Sequence, residues 1–146
     1  MQMKYFKINE AAIEPTYGTK DSAGFDLYSI TNAEIPPNQS VIIHTGLVME
    51  IPKGYCGIIC PRSGLSIKRG LILKNIIGVI DADYRGEIMI SLLNTSEEWQ
   101  DIYAGDRVAQ MLIMPYMHVD LDLRPLEELD TNTERSTGGF GSTGIK

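Results

Sequence analysis

Residues 87–93 read EIMISLL, a stretch with isoleucine or leucine at every second position. On an extended chain Ile88, Ile90 and Leu92 share one face, so this period of two predicts a strand with one buried side. Similar apolar segments occur at Val41–Val48, Tyr55–Cys60 and Arg107–Met114, with turn residues such as Pro36-Pro37-Asn38 and Ala104-Gly105-Asp106 between segments. Short strands at this spacing predict an all-β sandwich, barrel or jelly roll.

One short helix is predicted over Ser63–Arg69, because a serine opens the segment and Gly70 follows it. The end of the chain has a different composition, since residues 131–144 are almost all Thr, Gly, Ser or charged. Such a segment cannot supply a core, so we predict a β core over residues 1–130 and a flexible arm over residues 131–146. A terminus without function is the simpler alternative, but an arginine and an aromatic ring among glycines also suit a lid that closes on a phosphate.

The composition limits the class of protein. A chain of 146 residues with 43% hydrophobic and 22% charged residues fits one globular domain rather than a disordered or fibrous protein. Its apolar runs are shorter than the ~18–20 residues of a membrane helix, and we expect no signal peptide. The net charge of −6 disfavours a nucleic-acid partner, which requires a basic face. A small anionic ligand held by a few arginines remains compatible with this net charge.

The two cysteines predict a reducing environment. Cys56 and Cys60 lie four positions apart on a predicted strand, which places them on one face and roughly 13 Å apart. A disulfide requires Cα atoms within ~7 Å, and a zinc site would need four ligands although His44 and His118 are the only histidines. We therefore expect buried, reduced thiols in an intracellular protein.

Four further stretches are more polar than strands require: AGFDLYS (23–29), PRSGLS (61–66), GVIDADYRGE (78–87) and GDRVAQMLI (105–113). Asp26 is either a satisfied buried carboxylate or part of a site. Arg62 and Ser63 at a helix start suggest an anion site, and the alternative is a serine cap beside a solvent-facing arginine. Asp81, in a predicted hairpin, is either a turn residue or a base that takes a proton from water. Gln110 interrupts an apolar strand, so its amide needs partners, of which neighbouring backbone is the simplest.

Together with RSTGGFGSTG (135–144), these stretches resemble, in order and approximate spacing, the five motifs of the trimeric dUTP pyrophosphatase (dUTPase) family. The resemblance covers Ala23 to Gly144. One departure is Ser136-Thr137 after Arg135, where members of this family often have a glycine or another small residue.

The resemblance implies a distorted jelly-roll subunit of the dUTPase β-clip type, assembled as a threefold homotrimer with sites between subunits. It also implies hydrolysis of dUTP to dUMP and pyrophosphate, with water attacking the α-phosphorus, which removes dUTP and supplies dUMP for thymidylate synthesis. Mg²⁺ is expected to be chelated mainly by the triphosphate and water, with Asp26 contributing at most through the outer shell.

By the same resemblance, Asp81 is the general base. Tyr84 packs against deoxyribose, and Phe140 closes over uracil while the rest of the arm meets the phosphates. The residues expected to bind substrate are Arg62, Ser63, Gly64, Asn75, Gly78, Val79, Ile80, Tyr84, Met89, Gln110, Arg135, Phe140, Gly141 and Ser142.

Three alternatives remain open at the level of sequence. A dCTP deaminase of the same fold would release ammonia from dCTP. A non-catalytic dUTP-binding interaction protein would bind without turnover, and the intact Asp81 and Phe140 disfavour it. A jelly-roll structural subunit would make all of these polar motifs accidental.

Overall fold

The computed structural model describes residues 1–139 of the chain, and strands dominate it. The strands of this region are β1 (Lys4–Lys7), β2 (Thr16–Tyr17), β3 (Phe25–Tyr28), β4 (Ala33–Ile35), β5 (Ser40–His44), β6 (Leu47–Glu50), β7 (Tyr55–Cys60), β8 (Leu71–Leu73), β9 (Gly78–Ile80), β10 (Met89–Asn94), β11 (Gln100–Ile102) and β12 (Arg107–Pro115). One α-helix, α1 (Ser63–Arg69), and a single 3₁₀ turn (Leu126–Glu128) accompany them. The predicted all-β class is confirmed.

The strands form four antiparallel sheets. The largest has five strands in the order β2-β3-β12-β7-β9, and a second has the order β5-β10-β8. The pairs β1-β6 and β11-β4 complete the architecture. Strands that are neighbours in a sheet are often distant in sequence, as in a jelly roll rather than a meander.

One apolar core joins the four sheets. The alternation at Ile88, Ile90 and Leu92 is confirmed, since each side chain is at most 1% exposed. Leu27 and Met111 of the five-stranded sheet belong to the same buried cluster. The opposite face of the five-stranded sheet is therefore free to carry polar groups.

The short helix has the predicted bounds and one unpredicted feature. Gly70 caps its C-terminal end and has a φ of +66°, in the left-handed region. Glycine adopts this conformation readily at the end of a helix. At the other end, Arg62 occupies the N-cap position and Ser63 is the first helical residue. A serine cap beside a solvent-facing arginine is thus wrong, because the Arg62 side chain is only 27% exposed and contacts a carboxylate.

Two segments predicted as continuous elements are divided between sheets. The predicted strand Val41–Val48 breaks at Gly46 (φ +67°), where a Cβ atom would lie 3.0 Å from both Asn9 and Ala12. The predicted hairpin at residues 78–87 does not form as two paired arms, because β9 pairs with β7 while β10 pairs with β5 and β8. Residues 81–88 therefore connect two sheets.

The chain leaves the core after Pro115, and nearly all side chains of residues 116–139 are exposed. This segment includes large apolar residues, of which Leu121 and Leu123 are 94% and 96% exposed. Within residues 1–139 no helix is both long and apolar enough to cross a membrane.

Candidate active site

A row of side chains crosses the outer face of the five-stranded sheet. In the strand register Asp26 of β3 lies opposite Gln110 of β12, and Gln110 lies opposite Cys60 of β7. Residues opposite one another across neighbouring strands point to the same face. All three line one cavity of about 470 Å³, so pairing alone brings these distant residues together.

A β-bulge adds Arg107 to this cavity. The register between β12 and β3 shifts between Arg107 and Ala109, which leaves Val108 as the extra residue. On a regular strand, positions 107 and 110 would point to opposite faces because the side-chain period is two. The bulge re-aims the strand, so that Arg107 and Gln110 both line the cavity.

Asp26 holds two arginines in place. Its Oδ1 lies 2.9 Å from Arg62 Nε, and its Oδ2 lies 3.2 Å from Arg107 Nη1. Arg62 Nη1 also donates to the Arg107 carbonyl at 3.3 Å. Asp26 is a satisfied buried carboxylate, since the residue is 8% exposed, and it also lines the cavity. Two guanidinium groups against one carboxylate leave the cavity with an excess positive charge in an acidic chain.

The start of α1 completes the same cavity. Ser63 and Gly64 line it at the helix N-terminus, where backbone N–H groups have no helical acceptors. Gln110 Nε2 donates to the Pro61 carbonyl at 3.0 Å, which confirms that its partner is neighbouring backbone. Its Oε1 packs so closely on Gly24 that a Cβ there would lie 3.2 Å away. The lining suits a compact anion such as a phosphate.

Asp81 lies at a second location. It follows the edge strand β9 directly, is exposed, and lines a cavity of about 610 Å³ together with Val79, Cys56, Tyr116 and His118, among others. Its carbonyl accepts the Tyr84 N–H at 3.1 Å, which forms the first turn of the loop that leads to β10. The carboxylate is thus open to solvent.

The two cavities are at opposite ends of the same sheet face. Cys60 borders the first cavity and Cys56 borders the second, and four residues of strand separate them by roughly 13 Å. Both thiols are free and half-buried, so the predicted shared face is right, and the thiols that were predicted to be buried are only partly so. The lining of neither cavity combines the Arg62 cluster with Asp81.

The residues predicted to contact uracil and sugar surround β9. Asn75 lies in the loop before β9, and Gly78 is buried against Ile59. Ile80 is half-buried, and Met89 is 44% exposed at the start of β10. Val79 is the member of this set that lines the second cavity.

Tyr84 has a defined position in the loop. Its ring lies so close to Gly86 that a Cβ atom there would overlap the phenol. Its hydroxyl donates to the Glu87 carbonyl at 3.1 Å. The side chain is nevertheless 40% exposed.

The arm contributes one predicted residue to the described region. Arg135 is exposed, and its Nε donates to the Gly138 carbonyl at 2.9 Å, so it lies within a turn of the arm rather than in the first cavity. Phe140, Gly141 and Ser142 lie outside the described residues.

The described side chains do not fit a metal ion held by the protein. Residues 1–139 contain no group of three or more His, Cys, Asp or Glu side chains arranged to bind one. Both oxygens of Asp26 already face arginines. Within one chain, the described residues therefore offer no ready-made set of ligands for a metal ion.

A family model described as dUTPase matches residues 10–144. The chain belongs to the dUTPase family. A deoxyuridine 5'-triphosphate nucleotidohydrolase of Nautilia profundicola is 47% identical over 144 residues, which cover 99% of both chains. The enzyme of that name from Candida albicans is 46% identical over 130 residues, which cover 89% of this chain and 80% of the relative.

Solved dUTPase structures share the fold. A mutant dUTPase of Staphylococcus bacteriophage 80alpha with dUpNHpp is 27% identical, with a TM-score of 0.88 and coverage of 99% of both chains. A mutant dUTPase of S. aureus phage phi11, which coordinates a structural Mg(II) ion, is 26% identical with a TM-score of 0.80. This second match covers 88% of this chain and 100% of that one. The dUTPase fold expected from sequence is confirmed.

Sequence reasoning assigned no role to several residues that border the first cavity, among them Arg107, Cys60 and Gly24. Arg107 could not be assigned from sequence, because the sheet face on which its side chain lies depends on the bulge at Val108. No local sequence pattern indicates this bulge. Cys60 and Gly24 are apolar or small residues that read as ordinary strand positions. The opposition of Cys60 to Gln110 emerges only from strand pairing.

Proposed function

We propose that the protein hydrolyses dUTP to dUMP and pyrophosphate, as a dUTP diphosphatase that removes dUTP and supplies dUMP. The observation that carries this proposal is the cavity in which Asp26 holds Arg62 at 2.9 Å beside the start of α1, in a chain of the dUTPase family. The triphosphate is the part of dUTP whose charge such a cavity complements.

The cavity residues divide the phosphate contacts among them. Arg62 presents a guanidinium whose Nε is already fixed, so binding costs less side-chain entropy. Ser63 and Gly64 offer backbone N–H groups and a hydroxyl, and Gln110 meets the α-phosphate. These donors stabilise charge that develops on the phosphate oxygens in the transition state, which is commonly the largest single contribution to catalysis.

Asp81 acts as the general base. It orients a water molecule toward the α-phosphorus and takes its proton as the new P–O bond forms. The bond from the α-phosphorus to the bridging oxygen breaks, and pyrophosphate leaves. A positioned base is worth about 10²–10⁴ in rate, so phosphate binding must supply the remainder.

Selectivity arises around β9 and the loop that follows it. Backbone groups of Gly78, Val79 and Ile80 bind the uracil edge, with the Asn75 amide and Met89 at its border. Cytosine would present the wrong pattern of donors and acceptors, and a site built from polar groups rejects such a mismatch by ~10⁴ or more. Tyr84 packs on the deoxyribose and leaves no room for a 2′-hydroxyl.

Mg²⁺ enters as part of the substrate, chelated by the triphosphate. The ion pairs of Asp26 support a role in holding arginines, with any effect on the ion transmitted through water. No step of the proposed reaction depends on a metal ligand from the protein.

The complete site is shared between subunits of a homotrimer. The Arg62 cluster and Asp81 line separate cavities of one chain, so a second copy would have to supply one of them. Exposed Leu121 and Leu123 after the last strand support such an assembly, because apolar surface of this kind marks interfaces. Closed cyclic symmetry repeats one such interface in every subunit.

Residues 131–146 form the lid. Arg135 and Ser142 meet the terminal phosphate, Gly141 allows close backbone approach, and Phe140 covers uracil. We place the boundary between core and lid at residue 130. The free thiols Cys56 and Cys60 support an intracellular, reducing location.

The test is a pyrophosphate-release assay with dUTP, dTTP, dCTP and UTP in the presence of magnesium. We expect release from dUTP far above the other three, with dUMP as the second product. Ammonia release from dCTP would instead identify a deaminase. Tight dUTP binding without turnover would identify an interaction protein, and either result would refute the proposal.

A further inference from the structure

The loop that carries Asp81 and Tyr84 is anchored by Glu87, a residue to which the proposed reaction assigns no role. Glu87 Oε1 accepts the Gly46 N–H at 2.8 Å. Its Oε2 lies 2.8 Å from His44 Nδ1, which must carry the proton because an ionised carboxylate only accepts. The two contacts span 41 and 43 residues of sequence and reach the end of β5 and the turn that follows it.

The Glu87 carboxylate is ionised in this setting. Its side chain is 18% exposed. Partial burial raises its pKa, but hydrogen bonds from His44 and from the Gly46 and Thr45 backbone, together with the His44 charge, outweigh burial, so the pKa is lowered overall. Hydrogen bonds to an ionised acceptor are shorter and stronger than those to a neutral one. The anchor is therefore stiff.

The next residue reinforces the anchor. The Ile88 N–H donates to the Leu47 carbonyl at 2.8 Å, and the Thr45 hydroxyl donates to the Ile88 carbonyl at 2.6 Å. Thr45 and Ile88 are both fully buried. The end of the loop thus has one position relative to the core.

The position of Tyr84 depends on this anchor. Its hydroxyl donates to the Glu87 carbonyl, and its ring rests on Gly86. Both supports are backbone atoms beside the Glu87 side chain. A shift of Glu87 would therefore move the supports of the phenol ring together.

We propose that Glu87, held by His44 and the Gly46 N–H, is a positioning residue that fixes the Tyr84 ring where it excludes a 2′-hydroxyl. The inference rests on the proposed function, since it concerns the choice between dUTP and UTP. Steric exclusion depends strongly on the distance between the ring and the sugar. A displacement of about 1 Å changes rates by up to about 10²-fold.

The test compares kcat/KM for dUTP and UTP in Glu87→Ala, Glu87→Gln and the wild type. Glutamine retains an acceptor for Gly46 and an NH₂ group that donates to Nδ1 of the other His44 tautomer. We expect Glu87→Ala to lower the dUTP/UTP ratio at least about tenfold and Glu87→Gln to stay within about threefold of the wild type. Tyr84→Ala gives the full loss of discrimination for comparison.

Glu50→Ala is the matched control, because Glu50 has only a partly exposed pair with Lys4 at 3.4 Å. Its ratio should equal that of the wild type. If Glu87→Ala does not fold, His44→Phe removes the donor alone and should lower the ratio by a smaller factor.

The inference is overturned if Glu87→Ala, or His44→Phe in its place, changes kcat/KM for both nucleotides equally. It is also overturned if Glu87→Gln loses as much discrimination as Glu87→Ala. A wild-type protein that does not hydrolyse dUTP would refute the proposed function instead, so the two failures are distinguishable.

Discussion

Asp26→Asn is expected to destabilise the protein and weaken dUTP binding. Asparagine has nearly the volume of aspartate but no charge. Arg62 and Arg107, whose guanidinium atoms lie 2.9 Å and 3.2 Å from the carboxylate, would then face each other without a counter-ion. Each would tend to turn toward solvent, and Arg62 would no longer be pre-positioned for a phosphate.

The expected loss in the free energy of unfolding follows from how deeply each ion pair is buried. The side chains of Asp26 and Arg62 are 11% and 27% exposed, so their hydrogen bond belongs to the charged class worth about 1.5–3 kcal/mol. Arg107 is 49% exposed, and its pair adds only about 0–1 kcal/mol. We expect a loss of about 2 kcal/mol in the free energy of unfolding, or about 4–8 °C in Tm for a chain of this size.

The assay is thermal unfolding at one fixed protein concentration, with KM for dUTP measured on the same samples. Asp122→Asn is the matched control, because Asp122 also lies 2.7 Å from an arginine but is 69% exposed. That variant should lose less than about 0.5 kcal/mol and retain its KM. If Asp26→Asn matched the control in both Tm and KM, the ion pairs would not organise the cavity.

Three further results are expected. Asp81→Asn should lower kcat by about 10²-fold or more while binding of a non-hydrolysable dUTP analogue is retained; near-normal turnover would exclude Asp81 as the base. Deletion of residues 131–146 should leave Tm nearly unchanged, since the described part of this segment is exposed, but should reduce turnover strongly, and full activity would exclude the lid. Because the pKa of Glu87 is lowered from 4.5 in the folded state, its charge stabilises the fold above pH 4.5, and this contribution disappears as the pH falls through the lowered value. Denaturation of wild type and Glu87→Gln across pH should therefore show a difference that shrinks toward acid pH, and a constant difference would contradict the shift.

The local sequence pattern predicted strands and the helix well where apolar residues recur with a clear period or a glycine marks an end. The alternation at Ile88, Ile90 and Leu92 identified β10 and its buried face. Tyr55–Cys60 matches β7, and Ser63–Arg69 matches the helix, because a left-handed glycine ends that helix visibly in the sequence.

Pairing between distant strands was not predictable in the same way. Nothing near Gly78–Ile80 indicates that β9 joins β7 instead of β10. The interruption between β5 and β6 at Gly46 depends on its close approach to Asn9 and Ala12, which are more than thirty residues away in sequence. The same difference applies to the functional residues. The family resemblance identified Arg62 from sequence, whereas the place of Arg107 in the cavity depends on the β-bulge between distant strands.

The central claim is that the phosphate cavity of one chain works with Asp81 of another. It is tested by mixing Arg62→Ala chains with Asp81→Asn chains, each nearly inactive alone, under conditions that allow subunits to exchange. Both residues lie in the described region but in separate cavities. Each variant therefore supplies what the other lacks.

In an equal, random mixture, a site that draws the two residues from different subunits receives both intact ones in about one quarter of cases. The measurement is dUTP turnover of the exchanged mixture, with exchange verified by mass on tagged chains. We predict recovery toward about one quarter of wild-type kcat per site. Verified exchange with no gain over the separate variants would show that Arg62 and Asp81 act within one chain, and would contradict the shared site.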